Sequence, residues 1–306
     1  MVYIYKPGKF NSNTWLIDAV YKTPEGELVN NGHAAFLIKT EDGKNCLINP
    51  GSRSGARSIY KELKLLKAWP LDNIIITHSH WDHTQGVLFF RKKTEEEKIS
   101  PIKVLASEKA IPYLNNQSYN QCFVHEEYYP EYLDIPEVTP LKDKEKISVS
   151  DEFFLDILET PGHMEDHISV YDKQNKAIFV GDTPGVHWYL DLCVCNANSI
   201  YWKEQDYLES MKKFKALDLD YLCIAHFGVF TGDDISRFLD KSISMYYEWM
   251  EVFDQNRNKL DDIPFLLDEL WKTTYKDFSN LPQLKPHLEN SIITAVRYYK
   301  NLKQID

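Results

Sequence analysis

The chain has 306 residues, 43% hydrophobic and 26% charged, with 46 acidic against 35 basic side chains and a net charge of −11. That is the composition of a globular protein with length for a sizeable core, and it leaves no room for a low-complexity or disordered class. The acidic balance, with no long Lys/Arg tract, argues against a phosphate-backbone binder, so no nucleic-acid partner is expected.

The opening MVYIYKPGKFNSNTW lacks the charged region and apolar run of a secretory signal. No apolar stretch approaches bilayer length. A cytoplasmic location without membrane association is expected. NTWLIDAVY and HAAFLIKT read as strands separated by a turn-rich stretch, and NCLINPG as a further short strand. SGARSIYKELKLLKAW has helical spacing, with Ile59, Leu63, Leu66 and Trp69 on one face and Pro70 as the stop. NIIIT is a compact strand leading into HSHWDH. IKVLAS is a strand followed by a short helix over Glu108–Leu114, and HEEYYPEYLDIPE reads as an exposed loop.

EKISVSD and FFLDILETPG read as strands, and HISVYDKQNKAIFVGD as a hairpin turning at DKQNK. YLESMKKFKAL is an amphipathic helix, and YLCIAHFG a strand and loop. From Asp233 the pattern is helical: DISRFLDKSISMYYEWMEVF, IPFLLDELWKTTY and HLENSIITAVRYYKNLK. Strands, then mixed elements, then helices predict a layered α/β body with a C-terminal helical extension. The expected division is 1–232 for the catalytic domain and 233–306 for a helical cap packed on it. The spacing of Tyr246, Trp249 and Phe253 reads as core. This cap is expected to narrow the site or serve a homodimer contact. Of five cysteines, Cys46, Cys122, Cys193, Cys195 and Cys223, only Cys193 and Cys195 are close. Their odd count and scattered spacing do not form a disulfide framework, and the pair reads as ordinary thiols.

The chemistry-bearing residues follow predicted strands. His78-x-His80-x-Asp82-His83 follows NIIIT, His163 follows FFLDILETPG, Asp182 follows AIFVG, and His226 follows YLCIA. In an extended segment His78 and His80 point to one side, and a tight turn brings Asp82 and His83 to the same void. Imidazole and carboxylate suit zinc or iron. A lone His163 or His226 is more often structural, and an aspartate such as Asp182 more often caps a turn. Three imidazoles crowded into six residues gain little as core, and that cluster raises the standing of the distant three. Seven donors suffice for two metals with room for water.

These motifs, THSHWDHTQG, TPGH, VGDT and AHFG in that order, resemble those of the metallo-β-lactamase fold superfamily over roughly residues 13 to 230. The resemblance implies a four-layer αββα sandwich with a two-metal site at one edge. It implies that His78, His80 and His163 hold one metal, that Asp82, His83 and His226 hold the second, and that Asp182 bridges them. Two divalent ions are expected, zinc first, with iron or manganese as alternatives. His80 stands where the redox branch carries glutamate, and Asp182 where true β-lactamases commonly carry cysteine. The pattern is similar to glyoxalase-II-like thioesterases, lactonases, phosphotriesterases and nucleases. Asn49 of Asn49-Pro50-Gly51 falls where many members carry an aspartate and is expected to hydrogen-bond a ligand imidazole. In HMEDH the later His167 is expected to be structural, and His33, His125 and His287 to be surface or packing residues.

The expectation is therefore a di-metal hydrolase that attacks an ester-like bond of a small molecule (lactone, thioester or phosphoester), with broad substrate range. Asp82 is expected to ligate and shuttle a proton. His187 and Tyr189 are candidate oxyanion donors in the aromatic stretch that also holds Trp188, Tyr201 and Trp202, with core packing as the alternative for that stretch. Lactonases of this fold often carry a tyrosine three residues after the bridging aspartate, and here that position is Gly185. A di-iron redox protein and a nuclease of the same fold are the competing functions.

Overall fold

A computed structural model describes residues 3–4, 6–18, 21–22, 28–29, 33–122, 132–188, 192–194, 197, 201–226, 228–278 and 288–305. Two seven-stranded sheets form the centre. The first runs Thr139–Leu141, Lys103–Ser107, Asn73–Ile76, Asn45–Ile48, Ala34–Lys39, Thr14–Asp18, Gly8–Lys9 from edge to edge. The second runs Tyr3–Ile4, Gly228–Thr231, Tyr221–Ile224, Ala177–Phe179, Ile168–Asp172, Phe154–Glu159, Lys146–Ser148.

The NIIIT strand shows how the layers are built. Asn73–Ile76 is parallel to both its neighbours, with Leu47 opposite Ile74 and Ile75 opposite Leu105. Alternation sends Ile75 into the apolar layer between the sheets, with Phe36, Ile157 and Phe179. It sends Ile74 and Ile76 to the outer face, with Leu63 and Phe90. All three isoleucines are fully buried. A strand buried on both faces needs an unbroken apolar run, which is the run in the sequence.

Helices cover both outer faces. On the first sheet lie α1 (Ala56–Leu65), α3 (Gly86–Glu97) and α4 (Ile111–Leu114), which contribute buried side chains to that core, while the short α2 (Trp81–Thr84) carries Asp82 and His83. On the second lie α5 (Glu204–Ala216), α6 (Asp233–Gln255), α7 (Ile263–Thr273) and α8 (Glu289–Lys303). Their side chains form one cluster with Ile178, Leu222 and Phe230 of the second sheet. This is the four-layer αββα order, and the C-terminal helices share its outer layer with α5. Tyr246, Trp249 and Phe253 are buried core residues.

Some local expectations change. Helix α1 ends at Leu65, before Pro70. Lys67 turns left-handed at φ 53°, and the end is closed by Lys67 N donating to Lys64 O and Ala68 N to Leu63 O at 2.8 Å. Leu66 and Trp69 lie beyond the helix, half-buried against the same core. Helix α3 is not evident from the sequence pattern. Its buried Val87, Phe90 and Thr94 have helical spacing, but Leu88 and Phe89 lie off that face and a polar Thr94 completes it, which hides the period. Strand Thr139–Leu141 is hidden because Pro140 breaks the pattern; it lies at a sheet edge, where proline is tolerated. Of the expected exposed loop, 125–131 lies outside the described residues, while Ile135 is fully buried.

Trp249 on α6 donates through Nε1 to the Tyr275 hydroxyl at 3.2 Å, and that hydroxyl donates to Cys193 O at 3.0 Å. This ties the C-terminal helices to the short strand Leu192–Val194. Trp249→Ala is expected to cost about 3–5 kcal/mol. Thermal unfolding of the variant should remain one transition at lower temperature. Two resolved transitions would show that residues 233–306 unfold apart from the sandwich.

Candidate metal centre

Four loops, each leaving the C-terminal end of a strand, meet at one edge of the sandwich. Backbone bonds between the sheets fix where they meet: Ile168 N donates to Thr77 O at 2.8 Å, and Ala34 N donates to Ala225 O at 2.7 Å. After Ile76 the chain stays extended through His80, which has ψ 147°, then turns into α2. That sequence of conformations puts His78 and His80 on one side and swings Asp82 and His83 toward the same space. The intervening Ser79 faces away, its N–H donating to Asp166 Oδ2 at 3.0 Å and its hydroxyl accepting from Tyr119 at 2.7 Å.

The donors form two groups, His78, His80, His163 and Asp182 in one and Asp82, His83 and His226 in the other. In the first, His80 Nδ1 lies 3.1 Å from His78 Nε2 and 3.0 Å from His163 Nε2. In the second, Asp82 Oδ2 lies 3.5 Å from His83 Nε2 and 3.6 Å from His226 Nε2. A single atom, Asp182 Oδ2, faces both: it is 3.9 and 3.8 Å from His78 and His163, and 3.4 Å from both His83 and His226. A metal bonded at about 2.0–2.1 Å holds tetrahedral neighbours about 3.3 Å apart. The observed separations are of that size, and the donor set is nitrogen and oxygen, so the residues fit two divalent ions.

Hydrogen bonding sets the tautomer of His78. Thr77 N–H and the Thr77 hydroxyl both donate to Asn49 Oδ1 at 3.0 Å. The hydroxyl has only one proton, so its contact with His78 Nδ1 at 3.2 Å must accept an N–H from the ring. The lone pair of His78 is then on Nε2, the atom facing Asp182. Asn49 thus reaches the imidazole through Thr77 and does not bond it directly, which corrects the sequence-based expectation. Asn49 itself adopts φ 58°, and its N–H donates to Ile75 O at 2.9 Å.

His167 is engaged at both nitrogens. Asp182 N–H donates to its Nε2 at 3.2 Å, and its Nδ1 lies 3.1 Å from Thr160 Oγ1. It therefore orients the Asp182 loop and offers no spare lone pair. Gly181 makes this possible: with φ 51°, a Cβ there would lie 2.3 Å from His167 Nε2.

Other expected residues fall elsewhere. His187 is fully buried and edge-on to Phe230 and Phe238 at 5.1 and 6.1 Å, so its surroundings are those of the packing alternative. Trp202 likewise packs on Tyr207 and Tyr246. Tyr189, His125, His287 and Cys195 lie outside the described residues. His33 is no surface residue: it is buried beside the second group, its Nε2 3.3 Å from His83 Nδ1. An isolated histidine after a turn-rich stretch carries no periodic or motif signal. Asp166 is equally silent in the sequence, because its role depends on a contact 87 residues away.

The comparisons with known proteins agree with this geometry. The model of the metallo-beta-lactamase superfamily matches residues 29–226, and the chain belongs to that superfamily. The hydroxyacylglutathione hydrolase of Hydrogenovibrio crunogenus is 25% identical over 197 residues, 63% of this chain and 57% of its own length. The chain thus spans little more than half of that relative. A protein of the same name from Saccharophagus degradans is 24% identical over 285 residues, 89% of this chain and 91% of its own. A metallo-beta-lactamase family protein of Thermus thermophilus shares the fold at TM-score 0.56 and 18% identity, covering 94% of this chain and 93% of its own. Among the described residues no helix is long and apolar enough to cross a membrane.

Burial first, then neighbouring imidazoles, pushes His33, His78, His80 and His167 well below the ordinary histidine range. Burial would raise Asp182, but the facing His226 and His83 hold it well below the carboxylate range. For the four histidines the unfolded chain binds more protons once the pH drops below about 6.5, so stability present above that pH is lost as it falls. The Asp166 carboxyl, pushed up to about 6, works the other way, as do Asp18 and Asp172, which burial also raises, but these stand against four imidazoles shifted well below their ordinary range. The melting temperature of the metal-stripped protein should therefore be lower at pH 5.5 than at pH 7.5; an unchanged or higher value would contradict this. Asn49→Leu should weaken the metal held by His78 by about tenfold to a hundredfold in chelator competition, whereas Asn49→Asp, which still accepts both Thr77 protons, should retain it.

Proposed function

We propose that the chain is a di-metal hydrolase of an ester-like bond in a small molecule, with an acyl thioester as the first substrate class to test. The observation that carries this reading is the single Asp182 oxygen facing four imidazoles from two donor groups at 3.4–3.9 Å. Two relatives named hydroxyacylglutathione hydrolase favour the thioester among the ester-like bonds. A dedicated lactonase is disfavoured at Gly185. Its φ of 116° is strained for a tyrosine, and a Cβ there would lie 3.3 Å from Val194 O.

Two bound divalent ions would polarise the scissile carbonyl and bring the pKa of water near neutrality. The chain's own part is to aim seven donors at one space. Burial keeps His78 and His80 neutral at pH 7, so no proton must leave them before they ligate. Asp82 has the more exposed side chain, 15% against 8% for Asp182, which suits it to receive a proton from water and return it to the leaving sulfur or oxygen. A cysteine nucleophile has no support among the described residues. Cys46, Cys193 and Cys223 are buried, and burial pushes the Cys46 and Cys223 thiols up.

The metal-loaded protein should hydrolyse a glutathione thioester faster than an acyl lactone, a phosphotriester, a phosphodiester or a short RNA. His78→Ala and Asp182→Ala should each lower the rate by at least about a hundredfold, since each removes a donor. Retained full activity with metal lost would refute the di-metal reading. A rate on RNA that exceeds every ester and falls steeply with salt would favour a nuclease.

A further inference from the structure

We propose that His33 positions both imidazoles of the second donor group, His83 through its side chain and His226 through its main chain. This rests on the two-metal reading above.

His83 Nε2 faces the carboxylates of Asp82 and Asp182 at 3.5 and 3.4 Å. To bind a cation there it must present a lone pair, which leaves its one proton on Nδ1. The atom next to Nδ1 is His33 Nε2, 3.3 Å away. His33 is therefore the acceptor that selects the His83 tautomer and fixes its ring rotation. The two ring centroids are 4.8 Å apart, and His33 lies edge-on to His226 at 5.7 Å.

The same residue acts on His226 through the backbone. His33 and His226 form an isolated antiparallel bridge, next to the bond from Ala34 N to Ala225 O at 2.7 Å. His33 sits at the entry to strand Ala34–Lys39 of the first sheet, and His226 follows strand Tyr221–Ile224 of the second. One residue thus joins the two sheets at the point where the second donor group forms. It is 2% exposed, so water does not compete for the contact. On the other group the corresponding duty falls to Thr77 and Asn49, which hold His78 from its Nδ1 side. The two groups therefore have separate supports, and they can be weakened separately.

The test is zinc binding by the stripped full-length protein, with stoichiometry measured by elemental analysis and affinity by chelator competition, for wild type, His33→Phe and His33→Gln. Phenylalanine keeps the ring volume and removes the acceptor; glutamine restores an acceptor oxygen. Wild type should bind two ions. His33→Phe should keep one at wild-type affinity and weaken the other about tenfold to a hundredfold, and His33→Gln should recover most of that loss. Both ions retained at wild-type affinity in His33→Phe, or both weakened equally, would overturn the proposal while leaving the two-metal reading intact. A wild type that binds fewer than two ions would remove that reading and the proposal with it. A second measurement needs no variant: in zinc-loaded, nitrogen-15-labelled protein, His83 should carry its proton on Nδ1 with His33 Nε2 unprotonated. A protonated His33 Nε2 would overturn the proposal.

Discussion

A buried carboxylate is the constraint on which the site depends. Asp182 is 6% exposed, and an ionised group at such a position is costly unless opposite charge or hydrogen bonds offset the lost solvation. Its surroundings supply imidazoles from all three other loops, and its own N–H is bound by His167. Those imidazoles are drawn close by the fold, with His80 Nδ1 3.1 and 3.0 Å from His78 and His163. Divalent cations between carboxylate and imidazole would meet the cost of that burial.

The sandwich supplies the convergence. Two sheets share one apolar layer, and their strand ends come together where main-chain bonds cross between them, from Ile168 to Thr77 and from Ala34 to Ala225. Each crossing lies one residue from a candidate ligand, beside His78 and His226. Small displacements of either sheet would therefore move these donors directly. The helices α6–α8 secure the second sheet from outside, through the same core that holds Trp249 and Phe230.

Much of this is legible in the sequence because its signals are local. The isoleucine run of Asn73–Ile76, the helical spacing of Tyr246, Trp249 and Phe253, and the crowding of His78, His80, Asp82 and His83 each declare themselves within a few residues. The order of the four motifs then brings in His163, Asp182 and His226. The supports are not legible in this way. His33, Asp166 and the indirect reach of Asn49 act across separations of 50, 87 and 28 residues, where no periodicity operates. His187 misleads for the opposite reason: a polar side chain next to a site residue in sequence can still point into a core, here against Phe230 and Phe238.

One carboxylate oxygen joining two metal positions is the central claim. Anomalous scattering from crystals of the zinc-loaded protein, recorded at the zinc edge, measures this most directly. Two peaks about 3.5–4 Å apart are expected with Asp182 between them, one beside His78, His80 and His163 and the other beside Asp82, His83 and His226. A single peak, or two peaks that leave Asp182 outside both, would contradict it.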